Sequence, residues 1–184
     1  MKRIAIVGCG GAGKSTLSKS LGEILGIEVI HLDRLNWKPG WVETPREELQ
    51  SKQEKLVKKD SWIFDGNYGT TMDVRLQAAD TIVFLDMPRL TCFYRVIKRR
   101  IIHHNKTRSD MGEGCPEKLD PEFLKYVWNF SKARRPQLLK RLEQFEGEKR
   151  VIILKRNKDV ELFLELAHQE KKMQEEISTT HNQD

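Results

Sequence analysis

The stretch Ile4 to Thr16 reads IAIVGCGGAGKST and satisfies two phosphate-binding patterns at once. Gly8, Gly13, Lys14 and Ser15 fit G-x-x-x-x-G-K-[ST], the loop that cradles a nucleoside triphosphate. Gly8, Gly10 and Gly13 also fit G-x-G-x-x-G, the dinucleotide fingerprint, and Asp33 follows Gly13 by 20 residues, where a ribose-binding acid belongs. Lys14, Ser15 and Thr16 decide between the two. In the triphosphate reading, backbone N–H groups of Gly10, Gly11, Ala12, Gly13 and Ser15 wrap the β-phosphate, and the following helix adds its partial positive charge. Lys14 reaches the β- and γ-phosphates, the Ser15 hydroxyl ligates Mg²⁺, and Thr16 contacts the α-phosphate. In the dinucleotide reading the lysine and serine have no work to do. ATP and Mg²⁺ are therefore the expected ligands, with a dinucleotide as the lesser alternative.

Mg²⁺ also needs a carboxylate beyond a strand, and SWIFDG offers Asp65 while TIVFLD offers Asp86. Asp65 is preferred as the metal-linked acid, because Gly66 after it allows close backbone approach; its alternative is a plain turn acid. Asp86 precedes Met87-Pro88 and suits the start of the next helix. Asp33 ends a strand in HLDRLN. It could orient an acceptor hydroxyl, accept its proton or hold a Mg²⁺-bound water, and it could equally be a cap or turn acid. Trp37 and Trp41, in LNWKPGW, either stack on a ring or pin their loop to the body. His31 reads as a packed histidine.

These residues need a scaffold, and the hydrophobic pattern supplies one. Apolar runs at 3–7, 27–31, 62–64, 81–86 and 150–154 read as five strands. Helical spacing covers 14–25, with Gly26 as its stop, and Thr44-Pro45-Arg46-Glu47 forms a capping box for a polar helix to about Lys59. Further helices are expected near 70–78, from Pro88 to about Ile102, from Asp120-Pro121 to a break at Pro136, and from Val160 onward. Residues 103–120 are polar and aperiodic, and 169–184 turn polar and should fray. Strands alternating with helices imply an α/β fold with a doubly covered parallel sheet, whose ligand site lies at the carboxyl ends of the strands. Gly8, Asp33, Asp65 and Asp86 all stand at such ends.

The totals agree. A chain of 184 residues suits one domain, here 1–168 with a polar tail at 169–184; it is 38% hydrophobic and 33% charged. No apolar run reaches the roughly 18 residues of a membrane span, and the start of the chain does not read as a signal peptide, so the expected location is cytoplasmic. Cys9, Cys92 and Cys115 form no C-x-x-C pair and are expected as free thiols; His103, His104 and Cys115 fall short of the four ligands of structural zinc. The net charge of +6 favours acidic partners, with the local excess in Arg95–Arg108 and Arg134–Arg141. No helix-turn-helix, zinc finger or aromatic ribbon accompanies it. The main expectation is a phosphotransferase acting on a small-molecule acceptor, as a monomer or homodimer. The second is an ATP-binding regulatory protein with an effect on nucleic acid.

GCGGAGKST, HLDRLNWKPGW, DGNY, the DMPR turn and RVIKRR together resemble a group of adenylate-kinase-like P-loop proteins, the DNA topology modulation (FlaR-like) family, over about residues 2–165. The resemblance implies a nucleoside-monophosphate-kinase-like three-layer fold with strand order 2-3-1-4-5, which sets the Asp65 strand beside the glycine loop. It implies that Arg95, Arg99 and Arg100 touch the donor nucleotide and that 103–120 form a lid. Arg134 and Arg135 would be the arginines beyond that lid, and Lys155 to Lys158 would flank the donor base. In such kinases DGFPR supplies an arginine for an acceptor phosphate. Here Asp65-Gly66-Asn67-Tyr68-Gly69 lacks it, which argues against an AMP-like acceptor.

Overall fold

The computed structural model describes residues 1–118 and 120–180. Five strands make one parallel sheet: β1 (Arg3–Gly8), β2 (Val29–His31), β5 (Trp62–Asp65), β6 (Thr81–Leu85) and β7 (Arg150–Leu154). Their spatial order is β2-β5-β1-β6-β7. A small antiparallel hairpin, β3 (Trp37–Lys38) and β4 (Val42–Glu43), interrupts the count. Ranked among the parallel strands alone, the order is the expected 2-3-1-4-5. The helices are α1 (Lys14–Leu25), α2 (Leu32–Asn36), α3 (Arg46–Leu56), α4 (Met72–Ala78), α5 (Arg89–Ile102), α6 (Pro121–Ala133), α7 (Arg135–Glu143) and α8 (Asn157–Thr180).

Successive side chains of a strand point to opposite faces. In β1, β5 and β6, Ile4 to Val7, Trp62 to Phe64 and Ile82 to Leu85 are all buried, so both faces of the central sheet are covered. That is the burial expected of a parallel sheet with helical crossovers. The register sets Ile6 beside Asp65 and Gly8 beside Leu85, bringing the ends of β1, β5 and β6 to one edge.

Four local differences from the sequence pattern have physical causes. β2 begins at Val29 because the Ile27 amide is used at the end of α1, donating to the Gly22 carbonyl past a left-handed Gly26. The Thr44 capping box does not form. The Thr44 hydroxyl instead donates to the Leu35 carbonyl at 3.0 Å, and α3 starts after Pro45 with no side-chain cap. The polar C-terminal segment does not fray at 169, since α8 runs on to Thr180. Lys171 Nζ donates to the Leu25 carbonyl at 3.1 Å and Arg150 pairs with Glu170 at 2.8 Å, tying the helix to α1 and β7. Residues 181–184 of that expected tail lie outside the described residues.

The fourth difference concerns 103–120. Its described residues form no helix or named strand, as the pattern suggested, yet they are packed, with Asp110, Met111, Cys115 and Glu117 buried. The hairpin holds them. Gly40 N–H donates to Gly114 O at 3.1 Å, the Trp41 indole to Pro116 O at 3.2 Å, and the Cys115 thiol to Lys38 O at 3.2 Å.

Candidate active site

The glycine loop leaves β1 at Gly8 and enters α1 through Gly13, whose φ of 101° is left-handed and suits glycine. No side chain caps this helix. Its first-turn N–H groups therefore stay available to an anion, and the helix dipole favours one. Lys14 Nζ arches back over the loop and donates to the Gly8 and Cys9 carbonyls, each at 3.0 Å. From the next strand, the Asn67 amide pairs with Gly8 in both directions. Gly8 N–H donates to Asn67 Oδ1 at 2.9 Å, and Asn67 Nδ2 donates to Gly8 O at 2.7 Å and to the Tyr126 hydroxyl at 3.0 Å.

Above the loop lies a cavity of about 470 Å³, the size of a small-ligand site. Gly10, Gly11, Gly13, Lys14, Ser15 and Thr16 line it, together with Asp33, Asp65, Arg95 and Arg99. Gly8 and Ala12 are buried beneath that lining. Trp37, Trp41, Tyr68, Phe123 and Tyr126 supply aromatic walls. The two tryptophans pack edge to face at 5.3 Å, so they line the cavity while also pinning the hairpin to the 103–118 segment.

Asp33 and Asp65 are two of the carboxylates that line this space. Asp33 Oδ1 accepts from the Tyr68 hydroxyl at 2.6 Å. Burial pushes the Asp33 carboxyl up from its ordinary value, against the opposing pull of Tyr68 and Lys14. The Tyr68 hydroxyl is raised too, first by burial and then by Asp33. Asp65 is held through Oδ2, 2.9 Å from His31 Nδ1 and 3.5 Å from the Ser18 hydroxyl. His31 is thus packed, as its sequence context suggested, and its packing orients Asp65.

The cationic side is built from α5 and the segment after it. Arg95 donates to the Ala12 carbonyl at 3.1 Å and to Asn157 at 2.8 Å, bridging the glycine loop to the start of α8. Arg99 donates to Glu117 Oε1 at 2.9 Å. Burial, then the neighbouring Arg108 charge, lowers the Arg99 pKa, against Glu117. Arg108 pairs with Asp110 at 3.0 Å and lies 2.9 Å from Glu117. Burial would raise the Asp110 pKa, but the Arg108 charge and the nearby Ser15 hydroxyl outweigh it.

Arg134 and Arg135 stand apart from this cavity. Pro136 ends α6 where expected, and the break turns Arg135 onto Asp86, which it grips through two nitrogens at 2.8 Å each. The fork of Arg135 is thereby committed to a carboxylate beyond β6, and Asp86 holds a neighbouring element rather than starting α5. Arg75 is fully buried and hydrogen-bonded to Gln53, Thr71, Gly66 and Asn67, which braces the DGNY turn from behind. Burial holds its pKa down to about 9.

The residue pattern did not single out Asn67, Tyr126, Arg108, Asp110 or Glu117. For Asn67 a signal existed, since it follows the Asp-Gly end of a strand set beside the glycine loop. The others meet only through long-range packing.

The residues present fit Mg-ATP. The uncapped helix start, the arched lysine and the glycine-lined floor suit a polyphosphate, and the Ser15 hydroxyl and the Asp65 carboxylate line the same cavity. Neither a protein-family model nor a curated protein matches the chain. Among solved structures it is similar to a shikimate kinase from Acinetobacter baumannii in complex with shikimate, at 17% identity and a TM-score of 0.57, covering 97% of this chain and 94% of that one. It is also similar to a gluconokinase from Sinorhizobium meliloti 1021, at 16% identity and a TM-score of 0.50, covering 98% and 97%. This likeness shows the fold: α/β, with a five-stranded parallel sheet.

Proposed function

We propose that this protein transfers the γ-phosphoryl group of ATP to a hydroxyl of a small molecule. One observation carries the reading: the Asp33–Tyr68 pair and the Lys14–Ser15 pair line a single cavity. Gly8 to Thr16 hold the triphosphate, and Lys14 neutralises its β- and γ-phosphates. Ser15 and Asp65 would hold Mg²⁺, which supplies further neutralisation of phosphate oxygens. Asp33 orients the acceptor hydroxyl and takes its proton, while Arg95 and Arg99 stabilise charge on the transferring group. Arg134 and Arg135 were the other candidates for that charge; the Arg99–Arg108 cluster is the better placed, because it lines the cavity.

A hydroxyl acceptor is favoured over a phosphorylated one. Gly69 stands where an acceptor-phosphate arginine would be, and the buried Arg75 is spent on neutral acceptors of the protein itself. The aromatic walls suit a ring-bearing alcohol such as a nucleoside or cyclic polyol. The resemblance to the DNA topology modulation group supports the P-loop assignment, and its three free cysteines suit a cytoplasmic location. Arg95, Arg99 and Arg108 all line the cavity, which speaks against their forming a DNA-tracking stripe.

The test is ADP release with nucleosides, polyols and nucleoside monophosphates as acceptors, beside a salt-dependent DNA-binding assay. Saturable release with an alcohol acceptor is expected. A monophosphate as the better acceptor refutes the hydroxyl reading. Salt-sensitive DNA binding with no acceptor-stimulated release replaces the enzyme with the regulatory reading.

A further inference from the structure

The proposed transfer needs Arg99, with Arg108 beside it, for charge on the phosphoryl group, yet both already face a carboxylate. Arg99 Nε donates to Glu117 Oε1 at 2.9 Å, and Arg108 Nε lies 2.9 Å from Glu117 Oε2. Glu117 is buried, and all three side chains line the nucleotide cavity. One carboxylate thus offers one oxygen to each of two guanidinium groups, which is how a terminal phosphate is gripped by an arginine pair. The grip is incomplete. Among the described residues, Arg108 Nε is the single buried side-chain nitrogen or oxygen without a hydrogen-bond partner, since its N–H is not aligned on the oxygen beside it. A differently placed anion oxygen would satisfy that donor.

Glu117 belongs to the hairpin side of the cavity. Its N–H donates to the Lys106 carbonyl at 3.0 Å. Just before it, the Cys115 thiol and the Pro116 carbonyl are bonded to Lys38 and Trp41, and just after it Lys118 Nζ lies 4.7 Å from the centre of the Trp41 ring. Arg99 stands across the cavity on α5, so the Glu117–Arg99 bond joins two separate elements. A rotation of the Glu117 side chain breaks that bond and leaves the backbone ties to the hairpin intact. The two arginines need an anion between them in either case. The Arg99 pKa is lowered by burial and next by the Arg108 charge, so the cations repel when nothing separates them.

We propose that Glu117 is an internal stand-in for the γ-phosphate, holding Arg99 and Arg108 until a triphosphate displaces it. The inference rests on the phosphotransferase reading of the cavity. A carboxylate and a γ-phosphate on the same two arginines are like charges at close range, which a buried site disfavours. The phosphate carries more charge and more oxygens, so it takes the arginines and Glu117 turns aside. The work of displacing Glu117 is subtracted from the affinity for a triphosphate. It is not subtracted for a diphosphate, which brings no γ-phosphate to the arginines. Removing the Glu117 charge should therefore tighten triphosphate binding selectively, by about tenfold, the order of one charge-assisted hydrogen bond no longer exchanged.

The experiment is calorimetry of Mg-AMP-PNP, a non-hydrolysable triphosphate, and of Mg-ADP on the native chain and on Glu117→Gln. Glutamine keeps the shape and drops the charge. The expected result is an AMP-PNP Kd about tenfold lower in the variant, with the ADP Kd changed far less. Glu117→Asp is the second variant, for the case in which the first does not fold and binds neither nucleotide. Its carboxylate is one methylene too short to reach both arginines, so it should tighten AMP-PNP over ADP in the same direction, by a smaller factor. A selective loss of AMP-PNP affinity overturns the proposal and makes Glu117 a residue that positions the arginines for phosphate. An equal change for both nucleotides, or none, overturns it and leaves Glu117 a structural ion pair. A native chain that binds neither nucleotide refutes the phosphotransferase reading, and the stand-in with it. A native chain that binds both, with a ratio that neither variant moves, refutes the stand-in alone.

Discussion

Replacing Asp33 by asparagine isolates the proposed acceptor-side carboxylate. The variant keeps the size of the side chain and an oxygen to accept the Tyr68 hydroxyl, now at 2.6 Å; it loses the charge and the capacity to take a proton. General-base catalysis of this kind contributes about 10²- to 10⁴-fold, so kcat should fall by that factor, or about 2.7–5.4 kcal/mol at about 1.36 kcal/mol per decade. Stability should move the other way. Burial raises the Asp33 pKa, so the folded chain binds that proton more tightly than the unfolded one. Between the ordinary carboxyl value of about 3.9 and the raised folded value, stability is lost as pH rises, and at neutral pH the burial cost is borne in full. Asparagine removes that cost. The variant should melt higher at pH 7, by about 2–4 °C per kcal/mol relieved in a chain of this size. Near pH 4 the two melting temperatures should converge. The acid limb of kcat/KM should sit above the ordinary carboxyl range in the native enzyme, with activity lost as pH falls through it, and be absent from the variant. An asparagine variant with native kcat refutes the role of Asp33, and one that melts lower at pH 7 refutes the burial argument.

Lys14→Ala should abolish turnover, and calorimetry on the native chain should show binding of Mg-ATP in preference to NAD. Arg99→Ala should lower kcat by about 10²-fold with far less change in ATP affinity, whereas Arg135→Ala should leave kcat near native and cost about 1–3 kcal/mol in denaturant unfolding, because Asp86 loses its partner. In Mg²⁺ titrations of activity, Asp65→Asn should raise the metal requirement more than Asp86→Asn; the reverse order would reassign the acid. Gly112→Ala should lower stability by about 1–3 kcal/mol and weaken acceptor binding, since its Cβ would fall 1.9 Å from the Trp37 carbonyl oxygen and force the 103–118 segment off the hairpin.

What the sequence determined by itself was local. Gly8 to Thr16 sit between an apolar β-branched run and an amphipathic helix, and that juxtaposition specifies a strand, a phosphate loop and an uncapped helix start without reference to anything distant. The five parallel strands were legible for the same reason, since each is a continuous apolar run bounded by breakers. Pro136 stopped α6 where its missing N–H required. Arg95, Arg99 and Arg100, assigned to the donor through the resemblance of the motifs, all line the cavity. The strand order was legible only through the resemblance of the motifs, because no periodicity states which strands are neighbours.

The tertiary structure decided the pairings. Arg99 and Arg135 look alike in sequence, yet one faces Glu117 in the cavity and the other is taken by Asp86. Asn67 completes the glycine loop from a position 59 residues away along the chain. Thr44 and Glu47 had the spacing of a capping box, but the end of α2 claims Thr44 instead: its N–H donates to the Asn36 carbonyl and its hydroxyl to the Leu35 carbonyl. Residues 103–118 carried no pattern of their own, and the hairpin holds them, through the Gly40 N–H, the Trp41 indole and the Lys38 carbonyl. A hydrogen bond or ion pair depends on where two backbones converge in space. Residue type and spacing record which groups need a partner, and only the packed fold settles which partner each one finds.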